Sequence, residues 1–494
     1  MLDVVSNEIM RASDRYTIDK LGVSGMELMK RAATYIMHEV EMYDKIAIIA
    51  GKGNNGGDGI CLAMLLIENG VYPDLYMFSR ETHGESRYYY DMISGYDRIH
   101  IIDGTEDYSS YDVIVDCIFG TGLDREVGGI YATTIANINN SDTYVVCTDI
   151  PSGINGDSGA VMNTAVKADE TLSIGTRKLG HYLRDAKDYV GVVKNGDIGI
   201  SLVTKPYHLV EEKDIVLSRR MENSHKGTFG QISILGGSTR YLGAPKLATL
   251  GSNALMSGAG LVRLCIPREY VEVFACNILE CTLYPLTSID GMICYNESEL
   301  LGLLSSSAIA IGVGIGDSAH NIDIVRYFVT HYTGKLLIDA DGLNALSHDV
   351  SMLREHKADI VITPHVKEMS RLTGQSVDYI LSHPLDVACE FANKYSVTVL
   401  LKGTSTIVTD GTDVYIVDRG SSCMAKGGSG DVLSGVIAGL LGNKELSTLE
   451  ATYYGAYIAG MAGELSSAEY GTYGALASDT ARNVSRVMAS LERM

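Results

Sequence analysis

KIAIIAGKGNNGGDGICLAMLLIEN, residues Lys45–Asn69, divides into three pieces of different character. Lys45–Ala50 is an apolar run rich in isoleucine, closed by glycine and too short for a buried helix, so it reads as a buried strand. Gly51–Gly59 (GKGNNGGDG) follows directly, and Ile60–Asn69 continues as an apolar helix. Strand, glycine-rich loop and helix make the opening of an α/β unit, whose ligands bind beyond the carboxyl ends of the strands. Glycines admit a ligand close to the backbone, and a helix start offers free N–H groups to a phosphate. The spacing is neither G-x-G-x-x-G nor a Walker A loop, so the generic nucleotide fingerprints do not apply. A glycine-rich turn serves structure as readily as function. Here Asn54, Asn55 and Asp58 add polar chemistry that a plain turn does not need.

Outward from this segment the same pattern recurs. Tyr111–Ile118, Tyr144–Ile150 and Glu170–Ile174 read as further buried strands, and 7–40 carries apolar residues at helical spacing, with Leu28, Ala32 and Ile36 on one face. Strands alternating with helices predict a mostly parallel sheet covered on both sides. Asp116 ends one strand ahead of Phe119–Gly122, and Asp149 ends another ahead of Pro151-Ser152-Gly153. A buried, unpaired aspartate is costly. Either one alone suits a capping or turn role, but three polar loops at one carboxyl edge point to an active site. The oxygens of Asn55, Asp116 and Ser152 also suit a hard monovalent cation.

A chain of 494 residues is too long for one ordinary core. A second set of strands begins after the charged stretch 211–220: Gln231–Leu235, Leu261–Ile266, Ala308–Val313, Lys335–Ile338, Asp359–Thr363 and Val397–Leu401. Between them, Pro245–Ser257 is expected to be a helix with proline at its start. The boundary is placed between residues 205 and 220, giving domains 1–212 and 213–494, each large enough to fold alone.

In the second domain the strongest signal is Ala425–Leu433 (AKGGSGDVL) leading into an apolar helix at Val432–Leu441. The amides of Gly427, Gly428, Ser429 and Gly430 can converge on one anion, reinforced by the helix dipole. Asp431, in the first turn, either caps the helix or acts as a general base beside the anion; glycines that clear space for a ligand favour the base. Lys402 ends a strand ahead of Gly403, Thr404, Ser405 and Thr406, a setting suited to phosphate and nucleotide. Asp339-Ala340-Asp341 and Thr363-Pro364-His365 end two more strands. A histidine after a strand is more often structural, and His365 gains weight from Glu368 three residues on.

The net charge of −21 argues against nucleic-acid binding, which needs a basic surface. No signal-peptide pattern and no apolar stretch of membrane-spanning length occurs, so a soluble cytoplasmic protein is expected. Nine scattered cysteines without a C-x-x-C pair read as buried reduced thiols.

GKGNNGGDG, DCIFGTGL and DIPSGINGDSG, preceded by SNEIMRASD, resemble the NAD(P)H-hydrate epimerase family over roughly the first 200 residues, a domain-sized unit. The resemblance implies a Rossmann-like three-layer domain that interconverts the R and S epimers of hydrated NADH or NADPH and binds potassium. It places the potassium on Asn55, Asp116 and Ser152. The substrate falls to Asn54, Asn55, Gly56, Gly57, Asp58, Gly120, Thr121, Gly122, Leu123, Asp124, Arg125, Glu126 and Asp149, with Asp149 as acid/base. From KGTFG (226–230) onward the chain is similar to the ribokinase-like NAD(P)H-hydrate dehydratases, through GGSTRYLGAPKLA, SGAGLVRL, IGVGIG, DADGLNAL, TPHVKE, LLKGTSTI and MAKGGSGDVLSG. That resemblance implies phosphorylation of the S hydrate followed by loss of phosphate, with Asp431 taking the hydroxyl proton. Lys402–Thr406 and Gly428–Gly430 would hold the nucleotide. Ala259, Gly314, His365 and Asp431 would meet the hydrated cofactor. It also implies magnesium and, from the fusion of both halves in one chain, ADP in preference to ATP. A homo-oligomer is the default for such enzymes. One departure stands out: Val366-Lys367 occupies the place of the family's Pro-Gly, which is expected to shift the pocket or lengthen the loop. Two alternatives remain open at this stage: a small-molecule kinase, which shares the anion hole but lacks the N-terminal loops, and a non-catalytic N-terminal module.

Overall fold

The computed structural model describes residues 1–251, 258–276 and 278–493. They form two compact units, Asp3–Tyr207 and Met1–Leu2 with His208–Met494. The division lies ahead of the boundary at 212 read from sequence because His208 and Leu209 pair with Tyr415 and Ile416 of the second unit.

In the first unit seven strands, β1 (Ile46–Ala50), β2 (Asp74–Met77), β3 (Ile99–Ile101), β4 (Val113–Cys117), β5 (Tyr144–Thr148), β6 (Glu170–Ile174) and β7 (Val192–Gly196), make one parallel sheet in the order β3-β2-β1-β4-β5-β6-β7. Successive side chains on a strand point to opposite faces. Ile46, Ile48 and Ala50 pack into one apolar layer with the helix Gly25–Val40, while Ala47 and Ile49 pack into the other with Gly129–Asn139. A strand buried on both faces has no polar face, which explains the unbroken apolar runs. The strands β2, β3 and β7 are absent from the sequence reading: Asp74, His100, Lys194 and Asn195 interrupt their apolar character. The 7–40 stretch is two helices, α1 (Asn7–Asp19) and α2 (Gly25–Val40), separated at Gly22, whose φ is +77°.

The strand β1 ends where its helix begins. The helix α3 spans Asn54–Glu68, so the loop proper is only Gly51–Gly53, and the Asn-Asn-Gly-Gly-Asp segment is the first turn rather than a lead-in. Close backbone approach demands this glycine pattern: a Cβ on Gly51 would lie 1.9 Å from the Ile118 carbonyl oxygen, and one on Gly56 would lie 2.0 Å from the Gly51 carbonyl oxygen.

In the second unit, β8 (Gln231–Gly236), β9 (Leu261–Pro267), β10 (Thr282–Leu286), β11 (Ala308–Val313), β12 (Lys335–Ile338), β13 (Asp359–Ile362), β14 (Thr398–Leu401), β15 (Thr406–Thr409) and β16 (Val414–Val417) are ordered β10-β9-β8-β11-β12-β13-β14-β15-β16. They are parallel as far as β14 and antiparallel thereafter. Ile232, Ile234, Val262, Leu264, Leu337 and Val361 form one core with the helices Ser429–Leu441, Thr448–Gly474 and Ala477–Leu491. The helix expected at Pro245–Ser257 begins at Gly243 with Pro245 as its third residue, and residues 252–257 lie outside the described residues. Among the described residues no helix is long and apolar enough to cross a membrane. Six of the nine cysteines are buried; Cys281 and Cys389 are half-buried and Cys276 is exposed.

Gly312, next to last in β11, has φ +118°, and a Cβ there would lie 1.8 Å from the Asp339 carbonyl oxygen. Gly312→Ala is expected to destabilise the second unit by more than about 1 kcal/mol, because the conformation and the space both forbid a side chain. A calorimetric scan in which the mutant's C-terminal transition is unmoved would contradict this packing.

Candidate active sites

A cavity of about 620 Å³ opens at the carboxyl edge of the first sheet, entirely within the first unit. It brings together Asn54, Asn55, Asp58, Gly120, Thr121, Gly122, Leu123, Asp124, Arg125 and Asp149. Gly56, Gly57 and Glu126 are not among its lining residues: a Cβ on Gly56 would strike backbone and one on Gly57 would meet Met29 at 2.5 Å, so these two glycines serve packing. From α1 come Met10, Arg11 and Asp14, and from the chain after β6 comes Lys178.

Asp149 adopts φ +65°, a left-handed conformation that turns the chain sharply after β5. Its carboxylate Oδ1 contacts the Lys178 ammonium, and its Oδ2 accepts from the Thr121 N–H at 3.3 Å. Lys178 is 1% exposed and also donates to the Ile174 carbonyl at 2.6 Å. Burial raises the Asp149 carboxyl, but the adjacent ammonium outweighs it and holds the group below its ordinary value. His181 bonds through Nε2 to the Asp149 carbonyl at 2.8 Å and accepts the Lys178 N–H at Nδ1, which fixes the neutral Nε2–H tautomer. Burial and Lys178 push its pKa down to about 4.

Asp116 and Ser152 lie behind the cavity. Asp116 is fully buried, accepting at Oδ1 from Ser152 Oγ (2.7 Å) and at Oδ2 from Ser152 N (2.9 Å). Asn55 donates to the Phe119 carbonyl at 3.0 Å, and its Oδ1 accepts from Thr148 Oγ1 at 2.7 Å. Ser152 Oγ in turn accepts the Phe119 N–H at 2.8 Å. The three residues are thus joined through Phe119. Burial raises the Asp116 carboxyl, and no cationic side chain among the described residues is paired with it. A buried carboxylate with amide, hydroxyl and carbonyl oxygens around it is a donor set that fits a hard monovalent cation.

In the second unit the helix α4 (Val366–Thr373) starts immediately after His365, so Val366-Lys367 lengthens no loop. His365 caps that helix: its Nδ1 accepts from the N–H groups of Lys367 and Glu368, both at 3.1 Å, while Glu368 Oε2 accepts from the His365 N–H at 2.8 Å. This reciprocal capping box accounts for the histidine structurally. Lys402 pairs with Asp339 at 2.9 Å and approaches Glu368 at 3.8 Å. Asp339, 2% exposed, also accepts from Ser434 Oγ at 2.6 Å. The helix α5 spans Ser429–Leu441, three residues longer at its start than the apolar pattern indicates, with Gly428 in the left-handed conformation at its N-cap. A Cβ on Gly430 would lie 3.9 Å from Lys402 Nζ, so the ammonium stands beside the anion loop. Asp431 is pushed up to about 6 by burial and by Asp339, with Lys402 opposing.

Gly314 (φ +68°) sits tightly against Tyr241 and Ala244, and Ala259 is buried in the apolar core. Gly403 and Thr404 are exposed, Ser405 donates to Asp418 at 2.7 Å, and Thr406 opens β15. Asp14, Lys178 and Ser434 escaped the sequence reading of both sites. Nothing local marks them, since their partners lie far away in sequence.

Residues 232–486 match the NAD(P)H-hydrate dehydratase family and residues 25–180 match the YjeF-related protein N-terminus. Bifunctional NAD(P)H-hydrate repair enzymes are similar almost end to end. That of Thermofilum pendens is 32% identical over 93% of this chain and 91% of its own length, and that of Escherichia coli 31% over 97% and 92%. The chain belongs to the bifunctional NAD(P)H-hydrate repair enzyme family. Among solved structures, the ADP/ATP-dependent NAD(P)H-hydrate dehydratase of Bacillus subtilis, co-crystallised with ATP/Mg2+, superposes with a TM-score of 0.50 at 26% identity. It covers 58% of this chain and 99% of its own. A ribokinase-like superfamily protein of Enterococcus faecalis, 22% identical with a TM-score of 0.50 and covering 58% and 96%, shares the fold. The second unit is therefore ribokinase-like, and membership of this family sets aside the stand-alone kinase alternative.

Lys178→Met leaves the Asp149 carboxylate without its cation and is expected to destabilise the first unit by about 3–5 kcal/mol. Asp149→Asn in the same chain should recover much of that loss. A double-mutant cycle in urea showing simple additivity would dissolve the pair.

Proposed function

We propose that the first unit interconverts the R and S hydrates of NADH and NADPH, and that the second phosphorylates the S hydrate with ADP and expels phosphate to restore the reduced cofactor. The observation that carries this is the presence, in one chain, of a lysine–carboxylate pair at the mouth of each parallel sheet, one in a cavity of substrate size and one beside a glycine anion loop.

In the second unit, Asp431 takes the proton of the substrate hydroxyl as the oxygen attacks phosphorus. Its raised pKa of about 6 keeps it ionised at neutral pH yet basic enough to accept. The amides of Gly428, Ser429 and Gly430 and the Lys402 ammonium receive the charge of the transferred phosphoryl group. The ring nitrogen then supplies the electron pair that expels phosphate, forming an iminium ion, and loss of a proton from the neighbouring ring carbon returns that pair to nitrogen and restores the reduced cofactor. Magnesium, when bound, would neutralise phosphate charge, and Asp341 suits the carboxylate it would take beside nucleotide oxygens. Ser405 and Thr406 position the nucleotide.

In the first unit Asn55, Asp116 and Ser152 hold potassium, which supplies the charge that neutralises the buried carboxylate. Asp149 exchanges a proton with the hydrated ring. Free thiols and a reduced-cofactor substrate support a cytoplasmic setting, and a homo-oligomer is the default for soluble enzymes of this kind.

Recovery of absorbance at 340 nm, the reduced-nicotinamide band, from an R/S mixture of NADH hydrate tests the reading. Complete recovery with ADP is expected, and recovery of the S portion alone would remove the epimerase. Asp431→Asn should abolish dehydration while epimerisation continues. The dehydration rate of the unmodified chain should fall as pH drops through about 6, where Asp431 gains its proton. A rate flat across that range would remove Asp431 as the base.

A further inference from the structure

Four ionisable side chains from separate segments meet in the N-terminal cavity: Asp14 from α1, Asp58 from α3, Asp149 after β5, and Lys178 after β6. The ammonium of Lys178 is in contact with Asp149. Asp14 and Asp58 make no ion pair or hydrogen bond among the described residues. Around them stand Arg11, whose Nη2 donates to the Thr121 carbonyl at 3.2 Å, and Lys52, Glu85, Asp124 and Arg125 along the cavity wall. Three carboxylates sharing one buried cation cannot all remain charged, because burial and like charge both disfavour ionisation. Burial, with a further contribution from Asp149 and against that of Lys178, pushes Asp14 up to about 6. Burial, with Asp149 and Asp14 adding to it and Lys178 opposing, raises Asp58 well above its ordinary value. Two carboxyls driven in opposite directions within one cavity are the arrangement that separates an acid from a base.

We propose that Asp14 is the catalytic acid of the epimerisation, protonating the ring hydroxyl as it leaves, while Asp149, paired with Lys178, takes the proton from the water that returns. This rests on the epimerase reading of the first unit. In the first step the carbon–oxygen bond breaks and its electron pair leaves with oxygen, which becomes water on accepting the Asp14 proton. The ring-nitrogen lone pair forms the C=N bond of an iminium ion. Water then adds to that carbon from the other face: the new C–O bond forms, the C=N pair returns to nitrogen, and Asp149 accepts the released proton. Transfer of that proton from Asp149 to Asp14 through cavity water resets the site with no net change in protons. Lys178 is a positioning residue that holds Asp149 in place.

The test uses the full chain with purified R-NADH hydrate and no nucleotide, following appearance of the S epimer by chromatography. Asp14→Asn should lower kcat about 100-fold or more while leaving KM near its original value. In the unmodified chain kcat/KM should fall as pH rises through about 6, and this limb should vanish in Asp14→Asn and persist in Asp14→Glu, which keeps a carboxyl. Asp14→Glu retaining substantial turnover separates lost chemistry from lost folding. Asp14→Asn with unimpaired turnover, or with the limb intact, overturns the proposal and leaves the epimerase reading standing. An unmodified chain that does not interconvert the epimers at any pH overturns both.

Discussion

A lysine ammonium held against a carboxylate at the end of a parallel strand organises both units. In the first, Lys178 is enclosed and contacts Asp149; in the second, Lys402 contacts Asp339. Removing such charges from water is expensive, and each pair is retained only because further hydrogen bonds support it. Ser173 and the Ile174 carbonyl bond Lys178, and Ser434 bonds Asp339. In each case the strand end supplies the carboxylate and the neighbouring chain supplies the cation, so the charge stands where the sheet opens to a ligand.

Glycine determines how close the surrounding backbone can come. In the first unit, Gly51 and Gly56 let the turn after β1 close against Ile118, so that α3 starts early and its first residues Asn54 and Asn55 line the cavity. In the second, Gly428 takes the left-handed N-cap position and Gly430 lies beside Lys402. The helix start and the ammonium therefore lie side by side, an arrangement suited electrostatically to handling a phosphoryl group.

The two units use the same parts for different chemistry. Around Lys178 three carboxylates compete for one cation, which raises Asp14 and Asp58 while Asp149 is held low, an arrangement suited to proton exchange at an uncharged ring. Around Lys402 the cation stands next to an anion loop, and Asp431 is the carboxyl raised toward neutrality. The distinction lies in what surrounds each lysine.

The α/β class, the buried strands β1, β4, β5, β6, β11 and β12, the polar strand ends Asp116, Asp149 and Lys402, and the glycine-flanked Asp431 at a helix start were legible in the sequence, because an apolar run adjoining glycine and a polar residue is a local signal. The strands β2, β3 and β7 were not, since half-buried strands with polar interruptions lose that signal. Helices starting at Asn54 and Ser429 rather than six and three residues later were hidden because glycine disguises a first turn. What only the tertiary structure decided is pairing. Asp149 meets Lys178, Asp14 enters their cavity, Lys402 meets Asp339, and His365 turns back to cap α4. Each of the first three contacts joins residues far apart in the chain, and chain closure by packed sheets, not local periodicity, brings them together.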